Sequence, residues 1–313
     1  MKSEIRKDYI QEKFVIIAPK RGKRPHDTIK PKEYYKKKLD SSCIFCPQNI
    51  DHVPSLYLKG KKNNWDIKVI ANKFPAVSLD NKNAYGQQEV VIETSDHTKE
   101  LEDLSIKNIT ELLEAYSQRT KFISKNKNIE YILIFKNDGG VAGASLQHAH
   151  SQIFATKFLP PHLLDKSQRQ QEYKLRTGKC VYCDVISKES NSSRLVYKDK
   201  YVIAFTPYAS TFNYEIWIMP IRHLDNITEL NKKEKYSWSK ILKHILKKIG
   251  KLDLPYNYYF HQVINDEDQH LYMKIVPRGS VWAGVEIGSG LIINPIKPSI
   301  AAEFYRKSLN LKN

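Results

Sequence analysis

Hydrophobic and polar positions follow one order along this chain, and the order occurs twice. In the first half, IKVIANKFPAVS (67–78) and EVVIETSDH (89–97) read as strands. Ile109, Leu112, Leu113 and Tyr116 then fall at i, i+3, i+4 and i+7, which predicts one apolar face of a helix. The buried-type strand YILIFKN (131–137) follows, and after a glycine-rich break the strand SQIFAT (151–156). The second half presents YVIAFTPYAS (201–210) and YEIWIMPIRH (214–223). A helix follows with Trp238, Ile241, Leu242, Ile245 and Ile249 on one face, then YNYYFHQVI (256–264) and YMKIVP (272–277). A unit of strands, one helix and further strands has been duplicated.

The cysteines obey the same duplication. Four are present, as Cys43/Cys46 and Cys180/Cys183, each a Cys-x-x-Cys pair. A redox pair of this kind normally opens a helix after a strand, and neither flank reads so. Zinc needs two further ligands per pair, and histidines recur in register: His97 and His148 in the first half, His223 and His270 in the second. Cys43 to Cys180 and Cys46 to Cys183 span the same interval, and the two histidine intervals are only slightly shorter. Two structural Cys2His2 zinc sites are expected. His97 lies in the polar segment TSDHTKE and His223 in IRHLDN, so either also reads as a solvated loop residue. The second site is the weaker, because His270 sits in the acidic run NDEDQH, and iron fits either site as well.

The densest chemistry is KNDGGVAGASLQHAHSQ, from Lys136 to Gln152. Glycines 139, 140 and 143 follow a strand, and such a loop can present backbone N–H groups to phosphate oxygens. No Gly-Lys-Ser/Thr follows, which excludes a P-loop, and the next element is a strand, which excludes the Rossmann fingerprint. His148, His150 and Gln152 stand two apart and project together from a strand. With His148 on the metal, His150 keeps a free imidazole beside the phosphate loop. A neutral histidine can attack phosphorus and form a phosphoramidate that a second acceptor resolves. Gln152 can donate amide hydrogens to a non-bridging oxygen.

Composition changes this picture little. The chain has 313 residues, 41% hydrophobic, with 51 Lys+Arg against 34 Asp+Glu and a net charge of +17. That excludes wholesale disorder. No stretch reaches the roughly 18 apolar residues of a membrane span, and the first residues lack the apolar block of a secretory signal, so a cytoplasmic protein with no membrane partner is expected. The charge fits an anionic partner or a solvated basic surface equally. A nucleic-acid binder would draw on the 19 Tyr, but those in YNYYF alternate in an apolar strand, which core packing explains better, so no nucleic-acid partner is expected.

These motifs resemble the galactose-1-phosphate uridylyltransferase family of the histidine-triad superfamily. The resemblance rests on the His-x-His-x-Gln motif after the loop, the basic segment VIIAPKRGKRP (15–25), the Cys-x-x-Cys and VIANKFPAV (69–77), and it runs from about Arg6 to the C-terminal region. It implies an α+β fold of two histidine-triad-like units, antiparallel sheets with helices on one face. It places the catalytic half at 1–165 and a degenerate half at 166–313, often assembled as a homodimer. It further implies a ping-pong reaction through nucleotidyl-His150, with Gln152 favouring transfer over loss to water. UDP-glucose–hexose-1-phosphate uridylyl transfer is the family's default. By position, Arg21 and Arg24 match basic residues near the phosphates and Asn72 and Asn137 match nucleotide contacts. Gly143, Ala144 and Ser145 match the phosphate loop, and Glu286 a substrate contact. In the second half Tyr272 and Lys274 occupy the slots of His150 and Gln152, so one catalytic histidine per chain is expected. The segment VEIGSGLIINP (285–295) is closer to a branch resembling ADP-glucose phosphorylase, with inorganic phosphate as acceptor. Ser280 and Ile292 stand where uridylyltransferases usually carry a Lys and a Gln. A histidine-triad hydrolase or a dinucleoside polyphosphate phosphorylase is a further alternative. His261 is expected to be a packed residue.

Overall fold

The computed structural model describes residues 2–23, 40–62, 64–264 and 266–309. In chain order the strands are β1 (Glu4–Lys7), β2 (Phe14–Ile17), β3 (Tyr57–Lys61), β4 (Asn64–Ala71), β5 (Gly86–Ile92), β6 (Tyr131–Asp138) and β7 (His150–Thr156). They continue with β8 (Leu195–Lys198), β9 (Val202–Phe205), β10 (Ile216–Pro220), β11 (Tyr256–His261), β12 (Tyr272–Pro277) and β13 (Ile292–Asn294). The helices are α1 (Pro47–Ile50), α2 (Ile106–Ile123), α3 (Pro161–Thr177), α4 (Val181–Glu189), α5 (Lys232–Gly250), α6 (Gly284–Ser289) and α7 (Pro298–Arg306). None of these helices is long and apolar enough to cross a membrane.

Ten strands form one sheet in the order β3-β4-β5-β7-β6-β11-β12-β10-β9-β8. Every neighbouring pair in it is antiparallel. Read outward from the β6–β11 seam, both flanks follow the same order, so the duplication seen in the sequence becomes a pseudo-two-fold at the seam. Asn137 lies opposite Asn257 there, and Phe135 opposite Tyr259. Each half is thus continuous with the other rather than a sheet of its own. The boundary expected at 165/166 falls inside α3. A small second sheet joins β1 and β2 to β13 near the C-terminus.

The long helices α2 and α5 lie on one face, as the apolar spacing requires. Ile109, Leu112, Leu113 and Tyr116 from α2 share one core with Trp238, Ile241, Leu242, Ile245 and Ile249 from α5. Ser105 caps α2 by accepting from the N–H of Asn108 at 3.0 Å. Asn231 and Glu234 form a capping box on α5. The opposite face of the sheet carries His150, and there α1 and α4 pack in two smaller clusters, one per half.

Candidate active site

β7 begins at His150, so His148 stands in the preceding loop and the strand carries His150 and Gln152 on the face away from α2. The His150 Nδ1–H donates to the carbonyl of His148 at 2.9 Å. That bond fixes the tautomer and leaves Nε2 as a lone-pair nitrogen. Burial, opposed by the bond to His148, holds the imidazole pKa below its usual value, so the ring is neutral at pH 7. The Phe45 ring meets it edge-on at 5.3 Å. Gln152 accepts through Oε1 from Gln88 Nε2 at 2.8 Å, which turns its own amide hydrogens away from Gln88.

Behind the strand lies a buried ion pair. Lys136 Nζ reaches Glu93 at 2.7 Å, with both side chains inaccessible, and also donates to the carbonyl of His150 at 3.3 Å. Burial disfavours the ammonium, but Glu93, Glu100 and Asp138 outweigh it and raise the Lys136 pKa. Tyr116 and Tyr258 exchange a hydrogen bond of 2.7 Å beside Glu93, and Tyr116 also meets Ser151 at 2.5 Å. The backbone that presents His150 is therefore anchored by charge from beneath.

The glycine loop closes over the end of β6. Gly139 has φ +83° and a Cβ there would lie 2.8 Å from Pro255 Cβ; Gly143 has φ +91°. Other residues are strained at such angles. Asn257, across the seam, donates to Asn137 Oδ1 at 2.8 Å and to the Ala142 carbonyl at 2.7 Å. Asn137 makes a long contact of 3.5 Å to the Gly143 carbonyl. Arg278 holds Asn257 through Oδ1 at 2.8 Å. A residue of the degenerate half thus pins the loop of the other. Ala144 follows the turn, with its N–H on the Gly139 carbonyl, and Ser145 is exposed. Asn72 leaves β4 beside Gln88, its N–H on the Gln88 carbonyl.

The remaining expectations land elsewhere. Arg24 lies outside the described residues. Arg21 is exposed beside Glu286, and Glu286 caps its own helix by accepting from the Ala283 N–H at 3.0 Å. Among the described residues no hydrogen bond or ion pair joins either to His150 or Gln152. His261 is buried and stacks on Tyr272 at 4.6 Å, the packed role expected of it. The sequence reading missed Gln88, Glu93 and Asn257, because each acts through strand pairing that composition and spacing do not show.

Both cysteine–histidine sets assemble. The donor atoms of Cys43, Cys46, His97 and His148 lie within 4.8 Å of one another, as do those of Cys180, Cys183, His223 and His270. Sulfur-to-Nδ1 edges in the first set run from 3.4 to 3.7 Å. A zinc tetrahedron with bonds of about 2.3 Å to S and 2.0–2.1 Å to N has edges of about 3.5 Å, so the donors fit a metal. Outer partners orient the rings: His148 Nε2 on the Thr94 carbonyl at 2.7 Å, His223 Nε2 on Glu267 at 2.9 Å, and His270 Nε2 on Pro220 at 3.1 Å. His97 is buried and belongs to the cluster, against its reading as a solvated loop residue.

The chain is similar to known proteins along nearly all of its length. The family model of the galactose-1-phosphate uridyl transferase N-terminal domain matches residues 1–160. ADP-glucose phosphorylase of Arabidopsis thaliana is 33% identical over 328 residues, covering 97% of this chain and 92% of that protein. Galactose-1-phosphate uridylyltransferase of Thermotoga maritima is 30% identical over 332 residues, covering 97% and 98%. The crystal structure of an Arabidopsis thaliana ADP-glucose phosphorylase with bound ADP-glucose has a TM-score of 0.86 at 32% identity, covering 98% of this chain and 99% of that one. The chain belongs to the galactose-1-phosphate uridylyltransferase family and is a nucleotidyl-transferring enzyme.

Proposed function

We propose that the enzyme moves a nucleotidyl group by way of His150, most simply the uridylyl group of UDP-glucose to a hexose 1-phosphate. The observation that carries this reading is the tautomer of His150: Nδ1 is committed to the His148 carbonyl, and Nε2 is left as the nucleophile. In the first half-reaction Nε2 bonds to the α-phosphorus and the bond to the departing sugar 1-phosphate oxygen breaks. In the second, a phosphate oxygen of the acceptor attacks the same phosphorus and His150 is released. The Gln152 amide, fixed by Gln88, donates to a non-bridging oxygen as charge builds there. Neutrality of the His150 ring leaves the lone pair available without prior deprotonation. Asn72, Asn137, Gly143, Ala144 and Ser145 contact the nucleotide and phosphates in this reading, and Arg21, Arg24 and Glu286 the rest of the substrate.

Cys43, Cys46, His97 and His148 would hold a zinc ion, and Cys180, Cys183, His223 and His270 a second zinc or an iron. Bound there, the metal supplies a structural clamp. The first clamp fixes His148, whose carbonyl sets the His150 ring. All four cysteines are free of disulfides, in keeping with a cytoplasmic location. A homodimer fits the exposed apolar run Val281, Trp282, Val285 and Ile287.

A second reading, adenylyl transfer from ADP-glucose to inorganic phosphate, draws on VEIGSGLIINP and on the likeness to the Arabidopsis thaliana phosphorylase. Intact-protein mass spectrometry after mixing with UDP-glucose or ADP-glucose, beside His150→Ala, decides between them. A uridylyl adduct on the unaltered protein alone supports the first reading, and an adenylyl adduct the second. No adduct with either on metal-loaded protein would overturn both.

A further inference from the structure

A cavity of about 670 Å³ lies over the C-terminal half and reaches across the seam to Phe135 and Asn137 of β6, on the sheet face that carries His150, with Glu286 also on its rim. Its floor is Tyr259 of β11 with Tyr272 and Lys274 of β12, and its walls come from α3 and residues 8–13. Strand register equates the two halves: Phe135 pairs with Gln152 as Tyr259 pairs with Lys274. The Gln88–Gln152 hydrogen bond has its counterpart in the Glu215–Lys274 ion pair of 2.8 Å. Tyr272 thus stands where the nucleophile stands, and its hydroxyl accepts from Lys166 Nζ at 2.7 Å.

Cations dominate the lining. Lys13, Lys166, Lys274 and Arg278 face Asp8 and Glu286. Glu215 neutralises Lys274, but among the described residues neither Lys13 nor Lys166 makes an ion pair. The Asp8 carboxylate is turned to its own loop, where it accepts the N–H groups of Ile10 and Gln11, both at 3.0 Å. Glu286 likewise caps α6. Arg278 Nε is buried and has no acceptor. Burial depresses the Lys166 pKa, and burial with the repulsion of Lys274 and Lys166 depresses that of Lys13. Asp8 and Glu215 oppose this charge, but neither pairs with Lys13 or Lys166, so cations still exceed carboxylates around the cavity. Lys166, partly covered and bonded to a neutral hydroxyl, gains most from an anion beside it, and Lys13 offers an exposed ammonium at the rim. Lysine is a common point-charge partner of phosphate. Lys274 lies on β12 and Arg278 just past its end, four residues and so about 13 Å along the extended chain. The Phe212 ring lies 6.0 Å from Lys274 Nζ and 5.8 Å from the Arg278 guanidinium carbon and is stacked on Trp282 at 5.2 Å, while Phe135 and Tyr259 line the cavity across β6 and β11.

We propose that this cavity is a second ligand site, taking a phosphate-bearing small molecule whose phosphate lies among Lys13, Lys166 and Lys274 and whose polar far end lies toward the Arg278 guanidinium. The body of the ligand lies against the aromatic rings. With a tyrosine in the slot of His150, the site holds its ligand and does not transfer a group from it.

Isothermal titration with inorganic phosphate, AMP and glucose 1-phosphate tests this on the full chain, unaltered and as Lys13→Met, Lys166→Met and the double variant. Lys13 lies on an exposed segment, so its variant folds whatever Lys166→Met does, and the thermal midpoint checks both. The expected result is one binding site more on the unaltered protein than on the double variant, for at least one probe. That site weakens at least 10-fold in Lys13→Met and weakens with added salt. The probes that show it separate a bare anion site from one that also reads a sugar or a nucleoside. Equal site number and affinity across all four proteins would overturn the proposal. Because the result is a difference at lysines that the nucleotidyl-transfer reading does not use, failure of that reading would remove the other site and leave this one.

Discussion

Gln88 holds the carbonyl side of Gln152, so in the proposed reaction a residue two strands from the seam helps to aim the Gln152 amide at the transferred phosphate. Gln88→Leu removes that hold without touching substrate. The expected result is a kcat about 10-fold lower, about 1.4 kcal/mol of barrier, with KM changed far less, as steady-state kinetics would show. Unaltered kinetics would mean Gln152 is positioned by something else. Glu102 sets a response of a different kind. Burial raises its carboxyl from the ordinary 4.5 to about 7, and its Oε2 has no hydrogen-bond partner. Between pH 4.5 and 7 the folded chain keeps a proton there that the unfolded chain gives up. Stability contributed by this group is therefore complete below that window and lost as pH rises through it. Melting at pH 5 and pH 7.5 should show a smaller drop for Glu102→Gln than for the unaltered chain. Of these residues the sequence showed the chemistry-bearing ones, because His-x-His-x-Gln after a glycine loop is a local pattern. Gln88 and Glu102 were illegible, since their roles depend on which strand lies alongside and on how deeply a surface-type residue is covered.

The β6–β11 seam has a function that neither strand declares alone. Asn257 ties the phosphate loop through Asn137 and the Ala142 carbonyl, and Arg278 steadies it in turn. Asn257→Ala should lower kcat/KM for nucleotidyl transfer by 10- to 100-fold while the metal content stays unchanged, since the loop loses two bonds that are each worth about 1 kcal/mol. Equal kinetics for Asn257→Ala would assign the loop's order to its glycines alone. Helices α2 and α5 were legible because their apolar faces repeat at the helical period, and so were the central strands. The run read as 67–78 in fact ends as a strand at Ala71, where the Asn72 side chain accepts the Phe74 N–H and Pro75 follows. Helix α3 was not read at all. Only Leu163 and Gln170 of it are buried, so it carries too few apolar residues for a periodic signal. Its place is set by polar contacts, Lys166 to Tyr272 and Gln170 to Gln269.

At the scale of the molecule the two metal clusters are alike in donors and differ in what they serve. In the first, His148 is at once a donor to the metal cluster and the owner of the carbonyl that orients His150. In the second, His270 leads through Leu271 into Tyr272 and Lys274, the floor of the cation-lined cavity. The pseudo-two-fold therefore assigns one clamp to chemistry and the other to the cavity. Cys46→Ser should strip one metal per chain, as elemental analysis would count, and cut nucleotidyl transfer at least 100-fold, because losing the clamp frees the imidazole to rotate. Cys183→Ser should likewise strip one metal and lower the melting midpoint. Turnover should then stay within about 3-fold, since among the described residues no hydrogen bond or ion pair joins this cluster to His150, and 3-fold is under 1 kcal/mol of barrier. If instead both variants lost activity equally, the halves would be coupled more tightly than the hydrogen bonds of Asn257 account for. The degenerate half would then be part of the catalytic unit rather than a support that has taken on a ligand site of its own.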